Sequence, residues 1–266
     1  MVKIGFLGTG NMGTAILKGI VNSKMAKNVQ LFAFDPATEK ATAIQEYGVM
    51  LCQSEAEVAS SSEILFLAIK PQMFDVVLPK IADFITRDTV LVSIAAGMSI
   101  DYIRQLTQPF AKVVLAMPNT PLLLGYGATA LAPDVSVTTE EFSIIRQIFD
   151  SCGITVVLKP EQMKEVIAVN SSSPAFIYLF AKGFLDYAAK VDLPEDAAKQ
   201  LFAQALIGSA KMITDSGNNL DELIRQISSP GGTTLAGLDR LYAGKLTDVV
   251  DDACTSCTKR AYELSK

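Results

Sequence analysis

The sequence predicts an α/β domain with a mostly parallel, doubly wound sheet, followed by an all-α domain. Three observations carry this reading. Short apolar runs alternate with helical segments through the first 160 residues. A Gly-x-Gly-x-x-Gly stands directly after the first run. From Glu161 onward no strand pattern is found, and helical periodicity continues to the end. The predicted domains are residues 1–160 and 161–266, with the boundary at Leu158-Lys159-Pro160.

Residues 2–7 read as a short buried strand, and 11–21 as the helix that follows. Strand 31–34, a helix over 37–47 and strand 64–68 come next. Ser60-Ser61-Ser62 and Lys70-Pro71 punctuate the last of these. A helix over 71–84, strand 89–94, a helix over 99–107 and strand 112–117 continue the alternation. Residues 126–131 and 154–158 add strands around a helix at 138–151. Most of these runs are apolar without alternation, as expected of strands covered on both faces.

The helical half reads as one long segment over 162–190, broken near Pro174. Pro194 suits the first turn of a helix over 195–215. Asn218-Asn219 marks a turn before a short helix at 219–227, and helices over 231–242 and 245–263 complete the chain. Phe176, Ile177, Tyr178, Leu179, Phe180, Phe184 and Leu185 cover all faces of one helix. A helix apolar all round is buried, either in its own core or against a partner subunit.

Composition narrows the function. Hydrophobic residues make up 50% and charged residues 19%, enough to fill a core. Net charge is −5 without a Lys/Arg run, so no nucleic-acid partner is expected. No run of about 18 apolar residues predicts a membrane span, and no secretory signal opens the chain. Four scattered cysteines suit a reducing, cytoplasmic setting. Cys254 and Cys257 form a lone CxxC that reads as helix-face cysteines or as a redox or metal pair; no metal site is predicted. Histidine is absent, which excludes imidazole bases and Ser-His-Asp triads.

Gly8-Thr9-Gly10-Asn11-Met12-Gly13 follows a strand and opens a helix, the context of a dinucleotide-binding Rossmann fingerprint. Gly8 allows the tight turn, Gly10 the approach of a pyrophosphate, and Gly13 close helix–strand packing. Asp35 ends the second strand 22 residues after Gly13. There an acidic residue accepts from the adenosine ribose, and no Arg follows to hold a 2′-phosphate, so NADH is favoured over NADPH. Asp35 also reads as a turn-former before Pro36. Ala68-Ile69-Lys70-Pro71, Ala95-Ala96-Gly97 and Met117-Pro118-Asn119 lie at the carboxyl ends of later strands, where α/β sheets bind ligands. Lys70 is the cation of these loops. Ala95, Ala96 and Gly97 let a flat ring lie on the backbone, and the prolines stiffen the loop that holds Asn119. Each loop taken alone also reads as an ordinary connection.

Ser229-Pro230-Gly231-Gly232-Thr233-Thr234 is the second strong feature. Its glycines expose N–H groups at a helix start suited to a carboxylate, and its threonines add donors. Two such glycines each weaken a helix start by roughly 1 kcal/mol relative to Ala.

With these motifs in this order the chain resembles the pyrroline-5-carboxylate reductases over essentially its whole length. The resemblance implies reduction of 1-pyrroline-5-carboxylate to L-proline with NAD(P)H. It implies homodimers formed by the helical domains, often assembled into decamers. Thr234 would orient the ring nitrogen and serve as the catalytic residue, with Ser229, Gly231, Gly232 and Thr233 holding the carboxylate. Three departures bear on substrate and cofactor choice. Ser171-Ser172-Ser173 replaces Gly-Ser-Gly, Asp35 replaces the Ser, Asn or Arg of NADPH users, and Glu55 stands where an adenosine-end Asn is common. Two other readings are a β-hydroxy-acid oxidoreductase using Lys164 as acid/base, and a non-catalytic dinucleotide sensor.

Overall fold

The computed structural model describes residues 1–264, apart from the side chains of Thr38 and Ala41. The chain begins β1 (Val2–Leu7), α1 (Asn11–Asn22), β2 (Val29–Phe34), α2 (Thr38–Thr42), β3 (Met50–Leu51), α3 (Glu55–Ser60) and β4 (Ile64–Leu67). It continues with α4 (Phe74–Ile81), β5 (Val90–Ser93), α5 (Ile100–Leu106), β6 (Lys112–Pro118), β7 (Gly127–Pro133), α6 (Thr139–Asp150) and β8 (Gly153–Val157). The strands form one sheet in the order β3-β2-β1-β4-β5-β6-β7-β8. All neighbours are parallel except β6 and β7. Residues 119–126 join these two, fewer than the dozen or so that a parallel crossover needs.

Two apolar layers cover the sheet. On one side α1 buries Ile16, Leu17 and Ile20, spaced to share a helix face, with Ile145, Ile148 and Phe149 of α6. Phe6 and Phe66 stack at 4.7 Å on that side, and each such buried ring stabilises the fold by about 1.5–3 kcal/mol. On the other side α3, α4 and α5 pack Val58, Leu78 and Ile103. Residues of β4 and β5 are buried without alternation, which explains their continuous apolar runs.

The predicted fold class is observed, with local differences. The helix expected over 37–47 shrinks to α2 and a 3-10 turn at Gln45–Tyr47, stopped by Gly48 at φ 76°. β3 and α3 were not predicted. Two residues of β3 show no period, whereas α3 carries the start signal Ser54-x-x-Glu57, with Ser54 accepting from Glu57 N–H. Pro174 does not break a helix. It is the second residue of α7 (Ser173–Lys190), and the Ser173 hydroxyl donates to the Val169 carbonyl in the turn before it. The irregularity lies just before it, in a π-helical segment at Ile167–Ser172.

The remaining helices are α8 (Glu195–Asp215), α9 (Leu220–Gln226), α10 (Thr233–Ala243) and α11 (Leu246–Leu264). Two compact units emerge. One comprises Met1–Pro174 together with the chain from Cys257 on, and the other Ala175–Ser256. In the first unit the end of α11 buries Ala261, and Tyr262 donates its hydroxyl to Glu165. In the second, Phe180, Phe184 and Phe202 cluster, with Phe184 and Phe202 stacked at 4.3 Å. That unit leaves Tyr178, Leu179 and Leu201 exposed at 62%, 72% and 74%. Among the described residues no helix is long and apolar enough to cross a membrane.

Candidate active site

Because β1, β2, β3, β4, β5 and β6 are parallel, their carboxyl ends share one edge of the sheet. The strand order reverses between β1 and β4, the switch point where such sheets bind ligands. The edge gathers the Gly8–Gly13 loop, Asp35, Glu55, Ala68-Ile69-Lys70-Pro71, Ala95-Ala96-Gly97 and Asn119.

The glycine loop shows why each glycine is there. Gly8 turns at φ 94°, and a Cβ on it would lie 2.6 Å from the Ala68 carbonyl oxygen. A Cβ on Gly13 would lie 2.7 Å from the Gly8 carbonyl oxygen. These two serve the packing of the loop. Gly10 is different: a Cβ there would meet nothing within 4 Å. Gly10 precedes α1, whose start has no side-chain cap and no acidic residue in its first turn. An open glycine at a bare helix N-terminus fits a pyrophosphate. The adjoining cleft, of about 650 Å³, is bordered by Thr9, Gly10, Asn11, Lys40 and the loop at Leu122 to Gly125. Met12 is half-buried and packs on the apolar layer beside α1.

Asp35 is held by the loop it faces. Its Oδ2 accepts from Thr9 N–H at 2.8 Å and Thr9 Oγ1 at 3.2 Å, and its Oδ1 accepts from Ala37 N–H at 2.9 Å. Glu55 is paired with Lys80 at 2.8 Å. Burial raises its pKa, but the Lys80 ammonium and hydrogen bonds outweigh this and hold it below the usual carboxylate range. Lys70 and Ala96 are exposed, whereas Ala95 and Gly97 are buried against the sheet end. Asn119 is half-buried, its side chain engaged by Ala128 N–H and by Asn170.

The Ser229–Thr234 segment lies in the helical unit. Gly231 adopts φ 70°, and Gly232 N–H donates to the Ser229 carbonyl at 2.9 Å. α10 then starts without a side-chain cap or a first-turn acid. Ser229, Thr233 and Thr234 are exposed.

Residues 160–264 match the family model described as pyrroline-5-carboxylate reductase dimerisation, and residues 3–97 one described as NADP oxidoreductase, coenzyme F420-dependent. The pyrroline-5-carboxylate reductase of Escherichia coli (strain K12) is 35% identical over 265 residues, covering 99% of this chain and 98% of that protein. The chain belongs to the pyrroline-5-carboxylate reductase family. A Danio rerio relative, pyrroline-5-carboxylate reductase 3, is 31% identical over 99% of this chain and 91% of its own. Among solved structures, Plasmodium falciparum pyrroline carboxylate reductase with NADP bound superposes with a TM-score of 0.90 at 29% identity, covering 100% of this chain and 98% of that one.

Against that family the three serines at 171–173 find partners close by. Ser171 donates to the Pro118 carbonyl at 3.1 Å, Ser173 donates to the Val169 carbonyl at 2.7 Å, and Ser172 Oγ lies 3.1 Å from Cys257 Sγ. Sequence reasoning missed Lys80 and Asn170. Neither carries a local signal, because their partners lie 25 and 51 positions away.

Proposed function

We propose that this reductase-family chain converts 1-pyrroline-5-carboxylate to L-proline by hydride transfer from NADH or NADPH, NADH being favoured, as the last step of proline biosynthesis. One observation carries the reading: two helix starts, α1 and α10, are glycine-led, uncapped and without first-turn acids. The reaction brings together two anions, a pyrophosphate and a carboxylate, and each suits such a start.

Gly10, Asn11 and Met12 hold the pyrophosphate on a loop shaped by Gly8, Thr9 and Gly13, with Asp35 and Glu55 at the adenosine end. Ala68, Lys70, Pro71, Ala95, Ala96, Gly97 and Asn119 line the nicotinamide end. The reduced nicotinamide, when bound, supplies the hydride to the imine carbon. N–H groups of Gly231, Thr233 and Thr234, with the Ser229 or Thr233 hydroxyl, hold the carboxylate, while Gly232 shapes the turn through its N–H bond to the Ser229 carbonyl. Thr234 hydrogen-bonds the ring nitrogen, which carries its proton into the product amine, so no histidine is needed. The cofactor domain is residues 1–160 and the helical domain 161–266. The apolar side chains exposed on the helical unit support a homodimer, alone or assembled further into a decamer. We place the enzyme in the cytoplasm, with no nucleic-acid or membrane partner.

The β-hydroxy-acid reading requires Lys164 as acid/base. Its ammonium instead lies 4.6 Å from the centre of the Tyr262 ring. The deciding assay follows oxidation of NADH and of NADPH with pyrroline-5-carboxylate and identifies the product. Proline formation is expected. Cofactor binding without turnover would leave a dinucleotide sensor.

A further inference from the structure

The π-helical segment Ile167–Ser172 is bonded to the end of β6 through side chains. Asn170 Nδ2 donates to the Met117 carbonyl at 2.7 Å and to the Ala128 carbonyl at 3.0 Å. Its Oδ1 accepts from Asn119 Nδ2 at 3.1 Å, and Asn119 Oδ1 in turn accepts from Ala128 N–H at 2.9 Å. Ser171, the next residue, donates to the Pro118 carbonyl. The backbone partners leave one orientation for each amide: carbonyls require the NH2 of Asn170, and an N–H requires the oxygen of Asn119.

Two consecutive residues thus engage three consecutive residues, Met117, Pro118 and Asn119. A regular helix brings only every third or fourth residue to one face. π-helical turns alter that spacing and recur at functional sites. The network also explains a polar asparagine in the apolar stretch Val166-Ile167-Ala168-Val169. Asn170 fills both donor positions and one acceptor position, so its surroundings are built for an amide.

We infer that Asn170 is a positioning residue for hydride transfer. It fixes the end of β6 and Asn119, and through them one wall of the nicotinamide end of the proposed site. This rests on the function proposed above. Hydride transfer requires donor and acceptor carbons within about 3–3.5 Å, and a displacement of about 1 Å costs on the order of 10²-fold. Met117 and Pro118 end β6 in register with Ala130 and Thr129 of β7, and at Asn119 the chain leaves the sheet. Asn170 and Ser171 add side-chain bonds to this exit.

The test compares the full-length wild type with Asn170→Asp and Ser171→Ala. Asn170→Asp keeps the side-chain shape and the acceptor for Asn119, but removes both donors. Its kcat is expected to fall about 10- to 100-fold. The Kd for reduced cofactor, read by fluorescence, and the KM for pyrroline-5-carboxylate should each stay within about threefold. The deuterium isotope effect with 4-deuterated cofactor should rise, because the hydride step becomes fully limiting. Ser171→Ala loses one tie without introducing a charge, and should show the same signature at about 3- to 10-fold in kcat. Unchanged kcat and isotope effect in a folded Asn170→Asp enzyme would overturn the inference. So would losses of kcat in Ser171→Ala matched by equal losses of cofactor affinity, since the network would then serve binding alone. A wild type without turnover would overturn the functional reading as well.

Discussion

The carboxylate of Asp35 and the backbone N–H of Thr9 are joined at 2.8 Å across the end of β2 and the glycine loop. In the proposed site, the acid assigned to the adenosine end is therefore also a tether for the loop assigned to the pyrophosphate. Ala37 N–H holds the other oxygen, so both carboxylate oxygens are tied to the backbone that flanks β2 and the glycine loop. Oδ2 already accepts twice from Thr9, whereas Oδ1 accepts only from Ala37 N–H and retains acceptor capacity for a ribose hydroxyl.

The cofactor preference should be modest and should depend on Asp35. Glu55 would add a second repulsive charge, but Lys80 offsets it. That leaves a screened, solvent-facing effect of about 1 kcal/mol, or roughly a fivefold to tenfold advantage of NADH in kcat/KM. Asp35→Ser should bring the two cofactors level and weaken both by loosening the loop. A wild type that prefers NADPH, or a ratio unmoved by the substitution, would reduce Asp35 to a turn residue.

Gly8 and Gly10 should respond in opposite ways to alanine. At Gly8 the added Cβ strains φ and meets the Ala68 carbonyl, so Gly8→Ala should lose more than about 2 kcal/mol of stability. At Gly10 the Cβ meets only open space. Gly10→Ala should melt close to the wild type yet bind NADH at least about tenfold more weakly, because the methyl occupies the pyrophosphate's approach. Calorimetry beside a cofactor titration separates the two effects.

Thr234→Ala should lower kcat strongly with little change in cofactor Kd. Losing one donor that acts in the transition state costs about 10²–10³ in rate. Turnover equal to the wild type would remove Thr234 from the mechanism.

Acid should weaken the fold through Asp134, whose ordinary pKa is 3.8. Burial raises it, but hydrogen bonds from Ser136 and the Arg104 guanidinium outweigh burial and hold it lower. A carboxyl depressed in the folded state contributes stability that is full above its ordinary value and lost as pH falls through the folded one. Tm should therefore drop below about pH 4. Asp134→Asn should lose about 1–3 kcal/mol at neutral pH, a few degrees in Tm, and show a shallower acid slope. Parallel pH profiles for the two proteins would contradict this assignment.

Sedimentation should find a species at least twice the 28.5 kDa chain mass, given the exposed Leu179 and Leu201. A monomer at micromolar concentration would refute the dimer.

The sheet and the loops at its carboxyl edge were legible in the residues because their signals are local. A buried parallel strand reads as an apolar run, a turn needs its glycine at Gly8, and a helix start shows its hydroxyl or glycine within one turn. The Ser229–Thr234 motif was legible for the same reason. What only the tertiary structure decided are relationships between distant residues. Pairing with Lys80 quiets Glu55, and Asn170 holds Asn119, each through a contact that no sequence spacing encodes. The antiparallel turn of β7 against β6 depended on the fold in another way: a connection of eight residues is too short to cross over, so chain length decided the direction once both strands were in the sheet.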